Sequence, residues 1–309
     1  MWILILLNLF AIIANIVFGS VSIPFEELND PRWHFIVFES RLPAAISAAL
    51  TGASLGVCGL LLQSYFRNPL AGPSILGITS GANLMVAIVT LAGVMVGAGL
   101  VIAALIGSFT VLALLLFLGR FVRHHVTLLI VGILLSYLTS AVITLMGYYA
   151  SANGVQNLML WGMGSFNGVG TKGLWLFVPL TLSGLFASAL LIKSLNGWML
   201  GETSARNLGI NISHTRLLVL FITGLLSATT TAWCGPIAFV GLAMPHIARL
   251  IYKTDDHRRL LPASLLCGSL CCSICLLIST LPAGGAVLPI NALTPIFGVP
   301  VIVYILLKR

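Results

Sequence analysis

The run LVIAALIGSFTVLALLLFL, residues 100–118, passes directly into Gly119-Arg-Phe-Val-Arg-His-His125, and this junction decides the fold class. It holds no charged side chain over the roughly 20 residues that a bilayer core demands, and it then ends on a cluster of cations. Such runs recur along the chain: 59% of its 309 residues are hydrophobic and only 7% are charged, with a mean hydropathy of +1.11. So few charges cannot cover a soluble domain. Lipid is then the solvent, and every backbone amide must be paired within the fold. Long apolar runs without in/out alternation select helices over a closed barrel.

The net charge of +8 does not form a patch of the kind nucleic acid needs. Instead the cations sit in the breaks between apolar runs, where the positive-inside rule converts them into an orientation. With the amino terminus inside, the cytoplasmic side takes Arg67, Arg120, Arg123, Lys193, Arg206, Arg216, Arg249, Lys253, Arg258, Arg259, Lys308 and Arg309, and the outside takes Arg32, Arg41 and Lys172. The chain therefore reads as an all-α polytopic protein of about ten transmembrane helices, one domain over 1–309, with both termini cytoplasmic. Residues 1–18 lack the basic start of a signal peptide and are read as the first span.

Expected spans follow at about 41–65, two within 76–118, one at 126–149, one ending by Lys193, then 216–234, 236–252, 261–281 and 289–307. The segment 151–172 is polar and glycine-rich, with a short apolar core around Trp161. Ten helices would divide into two inverted sets of five, but Val57-Cys-Gly59 against Trp233-Cys-Gly235 is too short a likeness to carry a repeat. Cys267, Cys271 and Cys275 share a helix face without a histidine and read as packing residues rather than a metal site.

Several stretches ask for more than spanning. Within the inner loop of about 194–215, Gly201-Glu-Thr-Ser-Ala-Arg-Asn-Leu-Gly209 predicts a short capped helix: Glu202 in the first turn, Arg206 paired with it at i+4, Gly209 as the left-handed stop. Two readings are open, a simple cap or the dock of a cytoplasmic partner through Gly201, Glu202, Ala205, Arg206, Leu208 and Gly209. At the inner mouth, Asn68-Pro69 and Pro245-His246 with Arg249 supply polar handles, Arg249 snorkelling to the surface. Arg41 at the outer start of the second span reads as a headgroup anchor. Ser136, Ser140 and Thr144 make a hydroxyl stripe that either lines a path or packs against another helix.

No lysine follows a glycine as a phosphate-binding loop requires, so the chain is not expected to be an enzyme. All seven acids fall in loops or at their edges. A carrier driven by an ion gradient, the alternative class, usually places one within the membrane.

The ordered set Arg41-Leu-Pro43, Asn68-Pro-Leu-Ala71, Leu76-Gly77 and Ser80-Gly-Ala82, Trp161-Gly-Met-Gly-Ser165, Gly201-Glu202 through Leu208-Gly209, Gly235-Pro236 through Pro245-His246 and Arg249, and Leu288-Pro289 through Gly298-Val-Pro300 resembles the permease family that imports ferric siderophores, haem and cobalamin. The resemblance implies a type II ABC importer permease in the bacterial inner membrane, working as a dimer with a second copy of itself. It further implies two cytoplasmic ATPase subunits, which bind the ATP and magnesium, and an extracytoplasmic binding protein. The loop matching Gly201–Gly209 would enter a cleft of the ATPase, and no cofactor would be held by this chain. The chain departs from the family pattern at Ala44, Leu276–Thr280, Val287 and Asn291, all toward the outer face. Binding-protein docking is then expected to fall on Arg41 with Arg32 and Lys172, or on the acids Glu26, Glu27, Asp30 and Glu39. The chelate itself, siderophore, haem or cobalamin, is not legible.

Overall fold

The computed structural model describes residues 1–19, 21, 31–93, 98–122, 125–281 and 287–307. Among them there is no strand. Helix α1 spans Trp2–Val17. Then α2 (Pro31–Phe35) continues through a π-helical turn (Ile36–Arg41) into α3 (Leu42–Phe66), and a 3₁₀ turn (Pro73–Leu76) leads to α4 (Ile78–Leu91). There follow α5 (Ala98–Leu118), α6 (His125–Tyr149), α7 (Ala152–Gly162), α8 (Gly170–Leu190), α9 (Ile192–Met199) and α10 (Glu202–Asn207). The chain closes with α11 (Ile212–Cys234), α12 (Val240–Tyr252), α13 (His257–Thr280) and α14 (Ile290–Leu307).

Helix α1 shows why this is a bundle for lipid: its buried residues are Asn8, Ala11, Ala14 and Asn15, while Trp2 and Phe10 face outward. Asn8 and Asn15 each donate through Nδ2 to a carbonyl of α13, Leu266 and Ser273. Large apolar groups gain nothing by leaving lipid, so small and polar groups carry the helix contacts. The same logic explains the axis of the bundle. Along α3 nearly every residue is buried, and it meets α13 and α12 where glycine permits backbone contact. A Cβ on Gly59 would lie 1.6 Å from the Gly241 oxygen, and one on Gly52 2.1 Å from that of Gly268.

Each expected span coincides with a helix. Six helices of the described residues are long and apolar enough to cross a membrane, and α1, α4 and the described part of α14 are shorter apolar helices. Helix α12 has only 13 residues, because Gly235, at φ +74, and Pro236 break the chain after α11. The polar, glycine-rich segment after residue 151 is helical around its apolar core. It folds as α7, with Ser151 Oγ accepting from the Gly154 N–H as its N-cap.

Candidate functional site

The basic loops gather at one end of the bundle, and the end of α3 is their meeting point. Consecutive residues there reach different elements. Gln63 accepts at Oε1 from Arg249 of α12 (2.7 Å) and donates through Nε2 to the Leu242 carbonyl (3.0 Å). Ser64 Oγ lies 2.6 Å from His257 Nε2 at the start of α13. The Tyr65 carbonyl accepts from Trp198 Nε1 of α9 at 3.0 Å, and its hydroxyl accepts from Arg216 Nε of α11 at 2.8 Å. Arg67, the left-handed residue that ends α3, stacks its guanidinium over the Trp198 ring at 5.1 Å. Pro69 then offers its carbonyl to His246 Nε2 at 2.8 Å.

The geometry is that of a joint. Gln63, Ser64, Tyr65, Trp198 and His257 are all nearly inaccessible, and a buried polar group is tolerated only when paired. Arg216 also donates to the carbonyls of Gly119 and Val122, closing the end of α5. A cation at a helix C-terminus is favoured by the dipole and satisfies orphan carbonyls. Asp256 caps α13 by accepting from the Arg258 N–H. That bond, with the Asn196 amide behind it, holds its carboxyl below the usual carboxylate range.

From this joint projects α10. Gly201, at φ +113, opens it and Gly209, at φ +77, stops it. The Gly209 N–H bonds the Arg206 carbonyl and the Ile210 N–H bonds that of Ala205, a complete Schellman ending. Arg206 pairs with Glu202 at 2.8 Å, as the spacing predicts. Ala205 is the buried root of the helix, whereas Leu200 and Leu208 are 67% and 63% exposed. Asn68 Oδ1 accepts from the Leu70 N–H and shapes the turn before Pro73.

Other expected residues are placed differently. Arg249 does not snorkel, since it is drawn inward to Gln63 and also faces Asp255 at 3.6 Å. Because His246 Nε2 faces a carbonyl oxygen it carries the proton there, so that nitrogen is not free to ligate a metal. Arg41 is buried, 9% exposed. Its guanidinium donates to the carbonyls of Ile16 and Val17 at the end of α1 and of Val21 beyond it, so its hydrogen bonds turn inward to the chain and not outward to lipid headgroups. The physical reason is the same need that Arg216 meets, orphan carbonyls at a helix end. Nearby, Glu39 accepts from Thr171, next to Lys172. Glu26, Glu27, Asp30 and the side chain of Arg32 lie outside what is described.

The stripe on α6 divides. Ser136 packs on α4, donating to the Gly132 carbonyl and accepting from Ser80 at 2.8 Å, while Ser140 and Thr144 sit on the uncovered face of α6. A cavity of about 180 Å³ opens between the two broken segments, bordered by Gly72, Pro73 and Ser74 on one side and Ile237, Ala238 and Phe239 on the other. Phe239 holds φ +66 at the start of α12, a rare value for an aromatic residue.

The sequence profile of the FecCD transport family matches residues 2–308. The vitamin B12 import system permease protein BtuC of Klebsiella pneumoniae is 36% identical over 308 residues, covering 98% of this chain and 92% of that protein. Its counterpart in Citrobacter koseri is 34% identical over 307 residues, with the same coverage of each chain. Among solved structures, one described as an inward-facing conformation of a metal-chelate type ABC transporter superposes with a TM-score of 0.89 at 30% identity, covering 100% of this chain and 98% of that one. The fold is shared more distantly with PsaBC from Streptococcus pneumoniae, at a TM-score of 0.60 and 17% identity. By a profile match and by relatives that run almost its full length, the chain belongs to the FecCD transport family.

Proposed function

We propose that this chain is the permease subunit of an ATP-binding-cassette importer that carries cobalamin or a metal chelate into the cytoplasm. The observation that carries the reading is the exposed α10, closed by its Schellman cap, with bare Leu200 and Leu208 beside it, rooted in a buried joint that reaches α3, α5, α11, α12 and α13. A connector between two spans needs neither the cap nor the bare leucines, whereas a lever pushed by a nucleotide-driven partner needs both and a stiff root. In this reading ten helical segments cross the inner membrane with both termini inside. Two copies enclose the path, two ATPase subunits holding ATP and magnesium seat the α10 helices, and a binding protein delivers cargo to the opposite end. The family name and the named relatives support cobalamin and metal chelates as the cargo class.

The test is reconstitution with the ABC-type ATPase and binding protein that copurify with the chain, followed by ATP hydrolysis and uptake of vitamin B12, haem and ferric siderophores in separate vesicles. ATP-dependent accumulation of one of these is expected. Accumulation driven by an ion gradient, with no ATPase required, would place the chain among secondary carriers instead.

A further inference from the structure

Four polar groups from three elements meet where the segment leading to α10 touches the end of α3. The orientation of every one of them can be assigned. The His257 backbone N–H donates to Asn196 Oδ1 at 2.9 Å, which fixes that oxygen as an acceptor. The other amide atom agrees, since Asn196 Nδ2 donates to Asp256 Oδ1 at 2.6 Å. His257 Nδ1, 2.7 Å from the same Asn196 Oδ1, must then carry the ring proton. With Nδ1 protonated, the neutral ring leaves Nε2 as an acceptor, and the Ser64 hydroxyl 2.6 Å away donates to it. The chain of bonds runs from Asp256 through Asn196 and His257 to Ser64. His257 is 1% exposed and Ser64 2% exposed, so water does not compete for the bond between them.

The two partners of His257 sit on different elements. Asn196 lies on α9, which ends at Met199, with two residues between it and the start of α10. Ser64 lies on the last turn of α3, and the turn Asn68–Ala71 follows it. The His257 side chain hydrogen-bonds both. The Trp198 to Tyr65 bond fixes the distance between α9 and α3. The imidazole, bonded at both ring nitrogens, also fixes the rotation of one against the other.

We propose that His257 is a positioning residue that makes α9 and the end of α3 turn as one body, so that displacement of α10 is passed to the turn Asn68–Ala71. The inference rests on the importer reading, and it adds a particular part to it. Without the imidazole α10 would still be seated and still be moved, and Trp198 would still hold α9 at its distance from α3, but the end of α3 would no longer turn with α9.

The assembled complex of permease and ATPase, in lipid nanodiscs, tests this with two independent readouts. Spin labels at Ser204 on α10 and at Leu70, in a background without native cysteines, report nucleotide-driven movement of each against a fixed label at Thr171. ATP hydrolysis reports seating of the ATPase. In the parent complex both Ser204 and Leu70 should move on ATP binding. In His257→Leu hydrolysis should stay within about twofold, the Ser204 distance should still change, and the Leu70 change should be lost. His257→Asn, which keeps a donor for Asn196 but cannot reach Ser64, and Ser64→Ala should each reproduce the loss, and combining Ser64→Ala with His257→Leu should add nothing. Because Ser64→Ala is a small change, it keeps the test open should His257→Leu fail to assemble. An unchanged Leu70 response in Ser64→Ala and His257→Asn would overturn the proposal. So would loss of hydrolysis and of both movements together, since a residue needed only for folding gives that pattern. If the parent chain assembles with no ATPase at all, the importer reading fails and not the role of His257 within it.

Discussion

Trp198 Nε1 donates to the carbonyl oxygen of Tyr65 at 3.0 Å while the two rings stack with centroids 5.6 Å apart. One residue thus holds another by an edge bond and a face contact at once. The pair joins α9 to α3 at the point where Arg67 covers the outer face of the indole. A joint built from flat, two-torsion side chains is stiff, because few rotamers are lost when it forms and few are open when it is pushed.

Trp198→Ala is expected to remove both contacts and leave the Tyr65 carbonyl unpaired. Burial of the ring and the orphaned acceptor together put the loss at about 3–5 kcal/mol. Trp198→Phe keeps the stack and loses only the donor, so its cost should be about 1–2 kcal/mol. Thermal unfolding of the purified protein in one fixed detergent checks the order. Equal losses in the two variants would mean that the hydrogen bond, and not the stack, carries the joint.

At the crossing of α3 and α12, Gly59→Ala places a methyl group where the Gly241 carbonyl already stands. Backbone lies on both sides, so nothing flexible can yield. The variant should fail to reach a folded, membrane-extractable state, whereas Gly162→Ala, where an added Cβ meets nothing within 4 Å, should express like the parent. Gel-filtration profiles of the two compare them directly, and a monodisperse Gly59→Ala would show that the helices cross further apart than described.

The α10 helix offers a separable test of docking. Leu208→Asp changes an exposed side chain and should leave the fold intact, with thermal stability within about 0.5 kcal/mol of the parent. Gly209→Val forces a β-branched residue into a left-handed position and should unravel the Schellman ending at a cost of about 1–2 kcal/mol. Both are expected to lose ATPase copurification, the first without any loss of stability. Retention of the ATPase by Leu208→Asp would take the docking surface away from α10.

Much of this could be read from residues in order. The spans follow from apolar runs, and the α10 helix from its glycines and its Glu202 to Arg206 spacing, because each of those signals is local. The joint could not. Ser64 and His257 are 193 positions apart, and Tyr65 is 151 from Arg216. Gln63-Ser-Tyr65 looks like any polar end of a helix. Arg41 misleads for a related reason: an arginine at a predicted membrane boundary reads as an anchor until the end of α1, 24 residues away, supplies the carbonyls that bury it. Helix α7 carried one local signal, Ser151 as a cap, set among several glycines.

The α6 stripe now makes a divided prediction. Cysteines placed at Ser140 and Thr144, in a background free of native cysteines, should react with a water-soluble thiol reagent if this uncovered face borders the path. A cysteine at Ser136 should be slower by an order of magnitude or more, since its hydroxyl is packed against Ser80. Uniform reactivity at all three positions would mean that α4 and α6 separate in the membrane. Protection of Ser140 and Thr144 in every nucleotide state would give that face to lipid or to the second copy.

Arg41 is the residue whose expected and observed places differ most, and its variants separate stability from docking. If its role is to close the end of α1, charge alone will not preserve it. Arg41→Lys keeps the cation but offers one compact ammonium in place of a planar fork, and it cannot serve Ile16, Val17 and Val21 together. The expected loss is about 2–4 kcal/mol, from two carbonyls left without a donor at about 1–2 kcal/mol each. If instead the role were to receive an acidic side chain of a binding protein, the lysine would do nearly as well, and the effect would fade with salt, because an exposed pair contributes only about 0.2–1 kcal/mol. Unfolding of Arg41→Lys at low and at high salt decides between them: a loss of stability that salt leaves unchanged assigns Arg41 to the α1 closure. Lys172→Ala and Glu39→Gln, both at the same end, serve as the docking probes, and binding-protein stimulation of hydrolysis should respond to them across the salt series while thermal stability does not. A stable Arg41→Lys whose stimulation is weakened and salt-sensitive would return this residue to the docking surface.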